Sequence, residues 1–236
     1  MTVYCYDTEF LEDGSTIELI SIGIVCEDGR EYYAVNSEMD VDRIKRSDWL
    51  MANVWPHLPL RGRRDSAYPA SRSDGYLDRS STLVKPKWVI ANEVREFIVG
   101  AIADRDEAVP EDELPELWAY YGAYDHIALM QLWGQMINHP RFMPMWTHDL
   151  MQLIEPLAGF DKPAQSGDEH NALADARWNY SVLCAARRYA AAQVDGLAPI
   201  REAHNEYQAA LARREHGAVA ADHFIRTVEE HLERNA

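Results

Sequence analysis

The chain has 236 residues, 47% of them hydrophobic, which is enough apolar surface for one large domain or two small ones. Its formal net charge of -16 excludes a whole-surface electrostatic grip on nucleic acid, though not a local one. The scattered Cys5, Cys26 and Cys184 exclude a disulfide framework and a paired-cysteine zinc site, and the lack of a long apolar run excludes a membrane-spanning helix. A soluble cytoplasmic protein is expected, with one α/β domain over residues 1–190 and a helical extension over 191–236.

Residues 3–9 read as a first strand, and Glu12-Asp13-Gly14-Ser15 supplies turn chemistry before a second apolar run at 17–25. Asp28-Gly29 at a hairpin tip then leads into residues 31–35, so three antiparallel strands open the fold. On the first strand Asp7 and Glu9 are two apart and project from one face. They converge on a cation if buried, because unpaired buried carboxylates are costly; on an edge strand they simply face water.

Residues 40–55 carry apolar side chains at helical spacing, closed by Pro56 and Pro59. Residues 61–87 differ in composition. Arg61, Arg63, Arg64, Arg72, Arg79, Lys85 and Lys87 stand against Asp65, Asp74 and Asp78, a local charge of 7 - 3 = +4 inside an acidic chain. With Tyr68 and Tyr76 interleaved, this insert suits single-stranded nucleic acid, and the alternative is a solvated surface loop.

An amphipathic helix follows at 88–102, then a buried strand at 117–121 ending in Gly122-Ala123. Tyr124-Asp125-His126 heads the next helix, where Asp125 by itself reads as an N-cap. Residues 145–147 form a short strand, Asp149 caps a further helical run, and His170 to Asp175 opens a long Ala-rich helix ending near Gln193. Five residues apart on a regular helix, those two side chains diverge by about 140°, so they share a site only if His170 precedes the first regular turn. Residues 199–236 read as helical packing or oligomer surface.

In this order the chain supplies four carboxylates from three elements, Asp7, Glu9, Asp125 and Asp175, together with His170. Hard divalent ions such as Mg²⁺ or Mn²⁺ prefer oxygen ligands, and a pair of them clamps the attacking and leaving oxygens of a phosphodiester. A histidine exchanges protons near neutral pH, which makes His170 the candidate base for the attacking water.

Three motifs carry a resemblance: Tyr6-Asp7-Thr8-Glu9-Phe10, Gly122-Ala123-Tyr124-Asp125-His126, and His170-Asn171-Ala172-Leu173-Ala174-Asp175-Ala176. They resemble the motifs of the DEDDh (DnaQ-like) 3′-5′ exonucleases, and the wider stretches 6–35 and 117–133 are similar to the polyadenylate-specific 3′-exoribonuclease AS group within that family. The resemblance implies a ribonuclease H-like mixed sheet flanked by helices. It implies that Asp7, Glu9 and Asp175 ligate one Mg²⁺, that Asp7 and Asp125 serve a second, with Mn²⁺ able to substitute, and that His170 is the base. It implies single-stranded RNA 3′ ends as substrate, nucleoside 5′-monophosphates as product, adenylate as favoured base and a homodimer. Phe10, Leu11, Glu18 and Leu19 are then candidates to hold the terminal nucleotide, and Arg61, Arg63 and Arg64 candidates to hold the strand. The alternatives are a DNA exonuclease of the same family and a non-catalytic RNA-binding protein on this fold.

Overall fold

A computed structural model describes residues 1–62, 75–105, 108–165, 167–212 and 217–234. They fall into two compact units, Met1–Ala185 and Ala186–Ala236. The first is built on a six-stranded sheet. Strands β1 (Thr2–Glu12), β2 (Ile17–Cys26) and β3 (Glu31–Asn36) form the antiparallel meander expected from the sequence. Beyond two short strands that form a separate pair, β4 (Leu60–Arg61) and β5 (Tyr76–Leu77), comes β6 (Val84–Lys85), parallel to β3. Strand β7 (Pro115–Ala119) runs parallel to β1, and β8 (His148–Asp149) parallel to β7. The spatial order is β6-β3-β2-β1-β7-β8, a ribonuclease H-like α/β arrangement.

Alternation along the meander decides which side chains enter the core. Tyr4, Tyr6, Ile22, Ile24 and Ala34 face one side and pack with Ile90, Val94 and Ile98 of an amphipathic helix at Lys87–Ala103. Ala128 and Leu129 of the helix at Ala123–Met130 join the same cluster. A second cluster gathers Leu11, Ile20, Val35, Ile44, Leu50, Trp55 and Leu77.

The segment expected as one helix over 40–55 is instead two, Val41–Arg46 and Asp48–Asn53, followed by a 3-10 turn at Trp55–His57. Ser47 takes an extended conformation between them and its hydroxyl accepts from the Leu50 amide, so capping overrides the continuous apolar spacing. The short strand expected at 145–147 lies at His148–Asp149, where parallel pairing to Trp118 and Ala119 places it.

The long helix at Ala172–Gly196, here α6, begins against the sheet. Its first turn touches β2 at Gly23, the residue opposite Asp7: a Cβ there would lie 2.3 Å from the Ala172 carbonyl oxygen and 2.4 Å from the Leu173 Cα. Further along, the buried Asn179 amide donates to the Tyr6 carbonyl at 2.9 Å. A missing side chain thus sets how closely α6 approaches the strand carrying Asp7. The second unit contains the helices Ala198–Ala212 and Gly217–Arg234, in which Tyr207 and Phe224 stack with ring centroids 6.3 Å apart. Among the described residues no helix is long and apolar enough to cross a membrane.

Gly23→Ala is expected to destabilise the fold by about 2 kcal/mol or more, since backbone atoms rather than a flexible side chain must yield. Chemical denaturation that leaves the midpoint unchanged would refute the close approach.

Candidate active site

A cleft of about 530 Å³ opens where the ends of β1 and β7 meet the start of α6. Its lining includes Asp7, Glu9, Asp125, Glu169, His170 and Asp175, so the five motif side chains, spread over most of the first unit's sequence, share one cavity. Asp7 and Glu9 reach it from one face of β1. Glu9 is 7% exposed, and a bulge follows it, where the pairing steps from Glu9 and Ser21 to Phe10 and Leu19.

Asp125 lies in the first turn of the helix Ala123–Met130, but the N-cap is Gly122 and the carboxylate is not spent on capping. Oδ1 accepts from both the backbone amide of Thr8, at 2.8 Å, and its hydroxyl, at 2.6 Å. The carboxylate is thereby pinned to the strand segment between Asp7 and Glu9. At the third motif His170 precedes α6 with φ of 69°, in the left-handed region. That turn lets the His170 amide donate to Asp175 Oδ2 at 2.9 Å, while the Gln165 side chain donates to Oδ1. The two motif residues therefore escape the divergence that a regular helix would impose. Glu9, His170 and Asp175 each offer a ligand atom, and these atoms lie within 4.8 Å of one another.

Burial, crowded by like charges, shifts the four motif carboxyls the same way. Desolvation, then Asp125, Glu9 and Asp175, push the Asp7 carboxyl well above the usual carboxylate range. Burial and the neighbouring Asp175 and Asp125 raise Glu9 to about 8. Burial lifts Asp125 to about 6 against the opposing Thr8 hydrogen bonds, and lifts Asp175 to about 6 against the His170 amide and charge. None of the four carboxylates forms an ion pair with Lys or Arg among the described residues. Oxygen donors with a nearby imidazole and no neutralising protein cation fit hard divalent ions.

The remaining expectations fare unevenly. Phe10 lines the cleft and stacks on Tyr124, centroids 5.7 Å apart and planes 10° from parallel. Leu11 is sunk in the second core cluster and borders a neighbouring pocket with Glu9, Phe10 and Trp49. Leu19 pairs opposite Phe10 yet is 3% exposed in the main core, so it offers no surface to a base. The Glu18 carboxylate lies 3.7 Å from Arg43 and is not part of the cleft lining. Arg61 is paired with Asp78 at 2.8 Å and donates to the Ser80 hydroxyl, so its charge is engaged by the residues that follow the paired strand β5. Arg63 and Arg64 lie outside the described residues.

Sequence reading missed one wall of the cleft. Tyr120, Tyr121 and Trp178 stand together, the Tyr120 ring 4.8 Å from Tyr121 and 5.0 Å from Trp178. Trp178 follows Asp175 by three residues on α6, a spacing that places both on one helix face and was a usable signal. Tyr121 also has positive φ, 54°, a strained conformation beside the Asp125 motif. Trp49 meets His170 edge to face, ring centroids 4.8 Å apart. Lys162 and Gln165 belong to a segment without regular structure, where pattern carries no information.

A scan against protein-family models finds no match. Among curated proteins, the chain is 42% identical over 174 residues to the 3′-5′ exoribonuclease Rv2179c of Mycobacterium tuberculosis strain H37Rv, covering 74% of this chain and 86% of that protein. The counterpart in strain CDC 1551, also named a 3′-5′ exoribonuclease, matches with the same identity and coverage. Identity at that level over that length shows descent as well as shared architecture, and the chain belongs to the family of these 3′-5′ exoribonucleases.

Proposed function

We propose that this protein is a metal-dependent 3′-5′ exoribonuclease that removes nucleoside 5′-monophosphates from single-stranded RNA 3′ ends, on the DEDDh plan. The observation that carries the reading is the gathering of Asp7, Glu9, Asp125, Asp175 and His170 in one cleft of a chain so closely related to named exoribonucleases. Asp7, Glu9 and Asp175 would hold one Mg²⁺, and Asp7 with Asp125 a second. When bound, the two ions polarise the scissile phosphate, favour ionisation of the attacking water and stabilise charge on the leaving 3′ oxygen.

The chain's own groups do the rest. His170 accepts the proton from the attacking water, and its left-handed turn keeps it beside Asp175. Thr8 and Gln165 hold Asp125 and Asp175 in place before any ligand arrives, which lowers the reorganisation needed on binding. Phe10 and Tyr124 offer a stacked aromatic pair at the mouth, a surface suited to an unpaired base. Preference for adenylate rests on the resemblance of the motif stretches alone, because Glu18 is engaged by Arg43. A homodimer is favoured by Met136 and Ile137, apolar yet 77% and 87% exposed, and a cytoplasmic setting by three cysteines too few and too scattered for a disulfide framework. Catalysis is assigned to the first unit, with the helices of the second left outside the chemistry.

Asp7→Asn and Asp175→Asn are each expected to abolish release of nucleotides from 3′-labelled RNA while circular dichroism stays native, and wild-type turnover in either would end the metal model. His170→Ala is expected to lower kcat by about 10² to 10⁴, the usual share of a general base. A change under about twofold would remove His170 from that role. RNA and DNA oligomers labelled at either end, incubated with Mg²⁺, Mn²⁺ or EDTA, decide sugar, direction and metal need together.

The raised carboxyl pKa values also predict how stability responds to pH. In the folded, metal-free protein these groups bind protons that the unfolded chain releases at lower pH, so the cluster's contribution to stability falls as pH rises from about 4 through the raised values of Asp125 and Asp175, about 6, and of Glu9, about 8, with Asp7 shifted in the same direction. Divalent ions need the deprotonated carboxylates and offset their repulsion. Mn²⁺ should therefore raise the melting temperature more at pH 8 than at pH 5.5. Equal shifts at the two pH values, or none, would contradict the assignment.

A further inference from the structure

The cleft holds one Lys or Arg side chain among its described lining residues, Lys162, beside the carboxylates of Asp7, Glu9, Asp125, Glu169 and Asp175. Several cations elsewhere on this acidic chain pair with acids, as Arg30 does with Asp28, Arg43 with Asp13, Lys85 with Glu93 and Arg177 with Glu31. Lys162 forms no ion pair among the described residues, even with five acids lining the same cavity. Its ammonium instead donates to the Tyr120 hydroxyl and lies 4.7 Å from the Tyr120 ring centroid and 5.8 Å from that of Trp178. Aromatic faces steady a cation without neutralising it, so the charge stays available to an anion.

The position is also fixed relative to the acids. The Trp178 indole donates to the Pro163 carbonyl at 2.9 Å, and Gln165 reaches Asp175, so the residues following Lys162 are tied to the helix that carries a motif carboxylate. Tyr120 immediately follows β7, and Lys162 is an exposed residue of the cleft lining. An RNA strand entering a cleft of five carboxylates meets their repulsion, and Lys162 is the Lys or Arg side chain among the described lining residues that opposes it.

We propose that Lys162 binds a backbone phosphate of the RNA strand near its 3′ end, holding the chain while the terminal linkage lies at the acidic cluster; this rests on the nuclease function above. A lysine suits the task as a point charge on a flexible stem, with Tyr120 and Trp178 as its resting place between substrates.

The test compares Lys162→Met and Lys162→Arg with the wild type. Lys162→Met should raise KM for an RNA oligomer about tenfold, one charge-assisted contact, and leave kcat within about twofold. The slope of log affinity against log salt, measured with Ca²⁺ replacing Mg²⁺, should shrink by about 0.7, one phosphate on a single strand. Lys162→Arg should recover most of the affinity. On oligomers bearing one uncharged methylphosphonate at each of the last three linkages in turn, the loss from Lys162→Met should vanish at one position. Unchanged KM and salt slope in Lys162→Met, or a loss that persists on every neutralised oligomer, would reduce Lys162 to a brace for Tyr120 and Trp178. Failure of the wild type to hydrolyse RNA would instead overturn the nuclease reading, and the Ca²⁺ binding measurements would still decide the phosphate contact.

Discussion

Repulsion among buried carboxylates is the constraint on which the rest of the structure depends. Glu9 and Asp125 are withdrawn from water with the half-buried Asp7 and Asp175 beside them, and no lysine or arginine among the described residues pairs with any of the four. Their raised proton affinity measures how strongly the metal-free fold resists carrying those charges. A protein selected for stability alone would replace such a group with apolar residues. Its presence supports the proposed cation.

Holding that arrangement requires contacts of a particular kind. Asp125 is tied by two hydrogen bonds to Thr8, the residue between the two strand acids, and Asp175 by the Gln165 side chain and the His170 amide. Each restraint uses an oxygen of the acid it positions, so orientation is fixed before the proposed metal arrives. Gly23 is the complementary device on the sheet: the absence of a side chain opposite Asp7 admits the first turn of α6, and with it the third motif. Strained backbone at Tyr121 and His170 borders the same cleft, consistent with geometry kept for the site at some cost to local stability.

The cleft has two unlike sides. Phe10 stacks on Tyr124 near β1, while Tyr120, Tyr121, Trp178 and Lys162 form an aromatic and cationic wall. The acids line the same cleft. For the proposed reaction this separates the tasks: planar faces for bases, oxygen ligands for ions at the scissile linkage, and one unneutralised cation for the chain that follows.

The meander was legible because alternation and hairpin turns are local, and period-two patterning needs no knowledge of distant residues. The amphipathic helix at Lys87–Ala103 and the start of α6 were readable for the same reason, and the five motif residues by their order along the chain. What tertiary structure decided were partnerships across long separations. Asp125 looks like an ordinary cap until its partner Thr8, 117 residues away, is known. The bulge after Glu9 shifted the register, burying Leu19 in the core, while Glu18 came to lie against Arg43 rather than a base. Lys162 carries no pattern at all, and its place follows only from three aromatic and amide tethers. Local propensity specifies which way a side chain turns on its own element, whereas a site depends on which elements meet, and that is set by packing over the whole domain.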